Sequence, residues 1–304
     1  MTRIAFLGTP TAAVPTLTAL AESYDVGLVV TQPDRPRGRS GEPMPPPVKE
    51  HAVLLNLPVS QPATSAALKE RMESQGPFDV GVVVAYGRLL GADVFALPTH
   101  GMLNVHFSLL PRWRGAAPVA RALITGDTMT GVTIIQLDEG LDTGPVLTAQ
   151  AVDITPSEDA GALTKRLADA GARLLSESLP AFLNGSLTPV SQSEEGSTYA
   201  AKIASEDRFL GVDGSPKDFV NKVRGLSPTP GAILQIEGKP HKILEARTSQ
   251  HESPVGSWSS TTGVVVVGLE GGSVELVRLQ PPGKSPLSGP AWARGRRTDS
   301  GQAQ

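Results

Sequence analysis

Continuous apolar runs alternate with segments of helical spacing up to about residue 183, and beyond that point the alternation stops. The runs occupy residues 4–7, 26–30, 80–85, 102–107 and 132–137. Between them, Val14, Leu17 and Leu20 recur at helical intervals within residues 10–23, and residues 116–124 read as a second helix. Leu163, Leu167, Leu174 and Leu175 give residues 158–182 one apolar side. An unbroken run such as Val80-Gly81-Val82-Val83-Val84-Ala85 suits a strand covered on both faces, the condition of parallel sheets with helical crossovers. The expected fold class is α/β, with a Rossmann-like, mainly parallel sheet domain over residues 1–183.

Residues 184–197 are rich in Ser, Gly and Glu, the composition of an exposed connection, and a linker over 184–204 is expected. Short β-like runs follow at 232–236, 242–246, 263–268 and 274–279, separated by Gly and Pro turns. They imply a small C-terminal β-barrel of OB-like type over residues 205–304. The last dozen or so residues, with Arg294, Arg296 and Arg297, read as a frayed end.

The chain has no cysteine, which excludes disulfides, a thiol nucleophile and a cysteine-ligated zinc site together. Its net charge of −3 means that any nucleic-acid contact must come from local basic patches. No apolar run approaches the length of a membrane span, and Met1-Thr2-Arg3 leads straight into the first strand-like run. A cytoplasmic protein is expected, with no membrane partner.

Gly8-Thr9-Pro10 closes the first run as a tight strand-to-helix turn. The G-x-G-x-x-G fingerprint of a dinucleotide site is absent. Open α/β sheets nevertheless bind ligands at the carboxyl ends of their strands. Asn104 and His106 stand two residues apart on a strand-like run, so their side chains share one face while Val105 and Phe107 take the other. Two polar side chains on a buried strand are costly unless paired or used. An amide and an imidazole together suit a carbonyl whose oxygen becomes negative on attack. After the run at 132–137 comes Asp138-Glu139-Gly140-Leu141-Asp142-Thr143-Gly144, whose glycines allow a tight loop. Asp142 could then reach His106 and relay a proton through water.

The stretch Asn104-Val105-His106-Phe107-Ser108-Leu109-Leu110-Pro111-Arg112-Trp113-Arg114-Gly115, with Leu141-Asp142-Thr143-Gly144, resembles the signature of the 10-formyltetrahydrofolate-dependent formyltransferases. The resemblance implies transfer of a formyl group from 10-formyltetrahydrofolate to an amine, without a metal, with Asn104, His106 and Asp142 as the catalytic trio. It implies folate contacts from Ser108, Leu109, Leu110 and Pro111, and from Tyr86, Gly87, Arg88 and Leu89 in a loop lining the pterin pocket. Phe107 stands where the family most often has Gly or Pro and, facing away from His106, is expected to pack in the core.

The segments Thr31-Gln32-Pro33-Asp34-Arg35-Pro36-Arg37-Gly38-Arg39 and Met44-Pro45-Pro46-Pro47-Val48-Lys49 are similar to an inserted loop of family members that act on methionyl-initiator tRNA. The likeness implies tRNA contacts from Arg35, Arg37, Arg39 and Lys49, and an enzyme of translation initiation. A monomer is expected. Across residues 31–49 four basic side chains face two acidic ones, and the Gly and Pro spacing is expected to keep the loop out of helix and strand. An exposed arginine-rich loop suits contacts with phosphates and unpaired bases. The same chemistry on an amino-sugar nucleotide or other small amine is the alternative.

Overall fold

A computed structural model of the protein describes residues 1–36, 41–261, 263–296 and 298–304. The chain divides into two compact units. One comprises Met1–Gly115, Thr130–Val152 and Thr164–Tyr199, the other Ala116–Met129, Asp153–Leu163 and Ala200–Gln304.

The first unit runs β1 (Arg3–Gly8), α1 (Val14–Ser23), β2 (Asp25–Val30), β3 (Arg35–Pro36), β4 (Pro43–Met44), α2 (Pro47–Leu54), β5 (Val59–Ser60), α3 (Ser65–Gln75), β6 (Val80–Val84), α4 (Ala92–Phe95) and β7 (Met102–His106). After α5 (Pro118–Thr125), of the second unit, come β8 (Met129–Gln136), β9 (Val146–Asp153) and α6 (Ala160–Leu183). The sheet order is β5-β2-β1-β6-β7-β8-β9. Strands β5 to β7 are parallel, and β8 joins β7 antiparallel with His106 opposite Thr133.

Ile4, Phe6, Leu7, Val80, Val82 and Val84 are fully buried, as unbroken apolar runs in a covered parallel sheet must be. Each such side chain contributes about 1.5–3 kcal/mol by leaving water. The register sets Gly8 opposite Val84 and Val83 opposite Asn104, so the carboxyl ends of β1, β6 and β7 lie along one edge. On the sheet face opposite His106, α6 comes close because Gly171 has no side chain. A Cβ there would meet Val105 Cγ1 at 2.6 Å and Val132 Cγ1 at 3.2 Å. Phe107 lies 3.7 Å from the same point and is buried, so it packs in the core.

The segment over residues 31–49 departs from the expected irregular loop. Strands β3 and β4 pair antiparallel, Arg35 opposite Met44, and α2 starts at Pro47. Proline at a helix start breaks nothing, because the first N–H groups of a helix have no partner within it. Arg37 and Arg39 lie outside the described residues.

In the second unit α5 packs against α7 (Pro216–Leu226). Gly225 permits the approach, since a Cβ there would lie 2.6 Å from Ile124 Cγ1 and 2.8 Å from the Ala120 carbonyl oxygen. The remaining elements are β10 (Ala232–Ile236), β11 (Lys239–Thr248), β12 (Ser257–Thr261), β13 (Val264–Leu269), β14 (Gly272–Gln280), β15 (Leu287–Ser288), α8 (Gly289–Arg294) and β16 (Ser300–Gln302). They form an antiparallel sheet, β10-β11-β14-β13-β12-β16, curled into an OB-like half-barrel around Leu234, Trp258, Val265, Leu276 and Trp292.

The described part of the chain end, residues 298–304, is not frayed, and Arg297 lies outside the described residues. Strand β16 pairs with β12, Ala303 is buried, and Glu237 Oε1 accepts from both Trp258 Nε1 (3.1 Å) and the Gln302 amide (3.0 Å). Its Gly, Ser and Gln residues look solvated, but Trp292 and Ala303 anchor them in the core.

Candidate active site

Asn104 and His106 project from the carboxyl-terminal half of β7 onto one face of the sheet, and the loop after β8 folds back over that face. Asp142 stands at the centre of the cluster. Its Oδ1 accepts from Asn104 Nδ2 at 3.2 Å, and its Oδ2 accepts from the Gly115 backbone N–H at 2.8 Å. His106 Nδ1 lies 3.5 Å from the same Oδ2. The other imidazole nitrogen, Nε2, is 2.9 Å from the Trp113 carbonyl oxygen. A carbonyl only accepts, so Nε2 carries hydrogen and Nδ1 is the position that faces the carboxylate.

Local conformation is specialised here. Ala85, Trp113 and Asp142 all have positive φ (47°, 64° and 55°), in a region costing a non-glycine residue about 1–3 kcal/mol. The surroundings hold two of them. Around Trp113, the Ser108 hydroxyl donates to the Arg112 carbonyl at 2.7 Å and Thr198 Oγ1 accepts from the Trp113 amide at 2.9 Å. Around Asp142, Asp138 accepts from the Thr143 hydroxyl at 2.8 Å and the Gly140 amide at 3.0 Å.

Behind the cluster Arg114 is 1% exposed, and its guanidinium reaches Glu194 and Gln192. The Glu194 carboxylate holds Arg114 above its ordinary pKa. Residues 190–199, mostly exposed, are therefore bonded to the site segment along their inner side. The sequence marks Trp113 and Gly115 only as parts of the signature run, with no contact assigned to them, and does not mark Gln192 or Thr198 at all. Backbone groups carry no side-chain signal, and a glutamine in a polar run resembles any solvated residue.

The other expected site residues are placed as follows. Ser108 is fully buried, its hydroxyl spent within the turn, and Leu109 packs over Gly131, where a Cβ would meet Leu109 Cδ2 at 2.5 Å. Leu110 and Pro111 are half-buried, and the Leu110 amide donates to Thr133 Oγ1 at 3.1 Å. Tyr86 is only 2% exposed and packs with Leu7, Val94 and Met102, and burial pushes its phenol pKa up. Gly87 is exposed at φ 86°, Leu89 is 80% exposed, and Arg88 donates to the Pro62 carbonyl at 3.0 Å. Arg35 is exposed. Lys49 sits on α2, where its ammonium pairs with Asp34 at 2.7 Å and donates to Gln61 at 2.8 Å. Among the described residues no helix is long and apolar enough to cross a membrane, and no group of three or more His, Asp or Glu could hold a metal ion.

The formyl transferase family model matches residues 2–179, and the model of the formyl transferase C-terminal domain matches residues 202–297. The methionyl-tRNA formyltransferase of Halorhodospira halophila is 44% identical over 99% of this chain and 98% of its own. That of Myxococcus xanthus is 42% identical over 98% of this chain and 96% of its own. In fold, the chain is similar to the N-formyltransferase of Helicobacter canadensis, solved with folinic acid and dTDP-3-aminofucose. The TM-score is 0.70 at 16% identity, over 92% of this chain and all of that one. With both domain models matched and relatives aligned end to end, the chain belongs to the formyl transferase family.

Proposed function

We propose that the protein transfers the formyl group of 10-formyltetrahydrofolate to the free amino group of methionyl-initiator tRNA, acting as a monomer in the cytoplasm. The observation that carries the chemistry is the Asp142 carboxylate, gripped by Asn104 and Gly115 and facing His106 at the carboxyl end of β7. The likeness to methionyl-tRNA formyltransferases over nearly the whole chain supports the choice of acceptor.

The donor supplies an electrophilic formyl carbon. The residues present suit it. Asn104 has a second amide hydrogen, beyond the one given to Asp142, for the formyl oxygen. Ala85, Gly87 and Leu89 are exposed residues whose N–H and C=O groups would serve the edge of a pterin. As the amine attacks, the formyl oxygen becomes an oxyanion. Asn104 donates to it, and a proton on His106 Nδ1 places positive charge beside it. Asp142 orients the imidazole and, through water, accepts the proton the amine loses. The new C–N bond to methionine replaces the C–N bond to folate, whose nitrogen takes up a proton on leaving. Arg35, Arg37 and Arg39 would contact the phosphates of the acceptor end, a role in which Lys49 would have to leave Asp34.

The test is a competition assay with labelled 10-formyltetrahydrofolate, charged initiator tRNA, an amino-sugar nucleotide and glycinamide ribonucleotide. Label is expected on methionyl-tRNA. Preferential labelling of a small amine would overturn the choice of acceptor.

A further inference from the structure

We infer that Gln192 is a positioning residue that sets Asp142 for catalysis, an inference that rests on the role proposed above for Asp142. Gln192 lies in the polar stretch that reads as a connection, yet its side-chain amide is saturated. Nε2 donates to the Asp142 carbonyl at 2.8 Å and to the Gly144 carbonyl at 2.7 Å. Oε1 accepts from Arg114 Nε at 3.2 Å and Nη2 at 3.0 Å. Two donors and two acceptor sites are the whole capacity of a glutamine amide.

The partners are what give these bonds a function. Asp142 is the left-handed residue of its loop, and Gln192 grips that residue's own carbonyl and the carbonyl two positions on. The grip fixes the peptide flanking the carboxylate, and so the direction in which the carboxylate points. On its other side Gln192 is braced by Arg114, which is itself buried and forked onto Glu194. Two residues before Gln192, Val190 exchanges backbone hydrogen bonds with Val146 (2.7 and 2.8 Å), anchoring the segment to the start of β9. Gly115, next to Arg114, donates to Asp142 Oδ2. The ring Gln192–Arg114–Gly115–Asp142 is therefore closed, with the carboxylate at one corner.

The experiment compares wild type, Gln192→Ala and Gln192→Glu in the full chain. Gln192→Glu keeps the size and the acceptor for Arg114 but loses both N–H donors toward Asp142 and Gly144. Three quantities are measured: melting temperature, kcat and KM for methionyl-tRNA, and amide hydrogen exchange at Gly115, whose N–H reports on the carboxylate. Both variants are expected to fold, to lose about tenfold or more in kcat through a displaced Asp142, and to keep KM within about twofold. Gly115 is expected to exchange about tenfold faster in both. A filler of space would be replaced by the isosteric Gln192→Glu without loss. Wild-type exchange at Gly115 in folded Gln192→Glu protein overturns the inference, whatever its turnover. Should wild type transfer no formyl group, the proposed function fails, while the Gly115 exchange still decides whether Gln192 holds Asp142.

Discussion

His106 presents Nδ1 to Asp142 Oδ2 at 3.5 Å while its Nε2 donates to the Trp113 carbonyl at 2.9 Å. Each imidazole nitrogen thus faces an oxygen, and the ring is buried on the same strand face as Asn104. In the mechanism proposed above, the residue acts by a positive charge beside the oxyanion and by holding the carboxylate. His106→Gln keeps a donor of similar reach but cannot become cationic. It is expected to lower kcat about 10²- to 10⁴-fold with the fold intact, as steady-state transfer assays and circular dichroism would show. Turnover close to wild type would remove the charge from the account.

Arg35 and Arg39 carry the expected tRNA contacts, and the chain's net charge of −3 supplies no general attraction to compensate for their loss. Arg35→Ala and Arg39→Ala are each expected to raise KM for tRNA and to make the salt dependence of tRNA binding shallower by about one unit of log–log slope. Folate binding, followed by fluorescence, should be unchanged. Equal loss of folate and tRNA binding would argue against a tRNA-specific segment.

Tyr86 bears on alkaline stability. Burial raises its phenol pKa, with Arg88 opposing weakly, so the folded state disfavours the ionised form. This costs no stability where the unfolded chain stays protonated too. Below the ordinary tyrosine value of about 10 the fold therefore loses nothing, and as pH rises above it the unfolded state gains by ionising. Tyr86 Oη has no hydrogen-bond partner among the described residues, so Tyr86→Phe gives up no such bond. Melting curves at about pH 9 and about pH 11 should show a smaller alkaline drop for Tyr86→Phe than for wild type. An equal drop would contradict this.

Much of the sheet was legible because strands buried on both faces must be continuously apolar, as Ile4 to Leu7 and Val80 to Val84 are. Strand β9 escaped notice because it is the edge strand, with Thr148, Ala149 and Gln150 among its exposed or half-exposed residues. Helix α2 was hidden by the Pro45-Pro46-Pro47 run, which reads as a loop although Pro47 sits where a helix tolerates it. Helix α7 is hard to read because Lys217, Asp218, Lys222 and Arg224 alternate in sequence with its few apolar residues, and Asn221 and Gly225 are among those it buries. At the site, strand periodicity alone puts Asn104 and His106 on one face. Placing Asp142 beside them needed the family resemblance, since a loop between two glycines can point anywhere. Gln192 could not be found at all, because what distinguishes it is which carbonyls it meets.

The most direct test of the account is single-turnover formyl transfer by Asp142→Ala protein, with saturating 10-formyltetrahydrofolate and charged initiator tRNA. Removing the carboxylate that Asn104, Gly115 and His106 surround is expected to slow transfer about 10³-fold or more, with melting behaviour and tRNA binding retained. Near-normal transfer by a folded Asp142→Ala protein would contradict it.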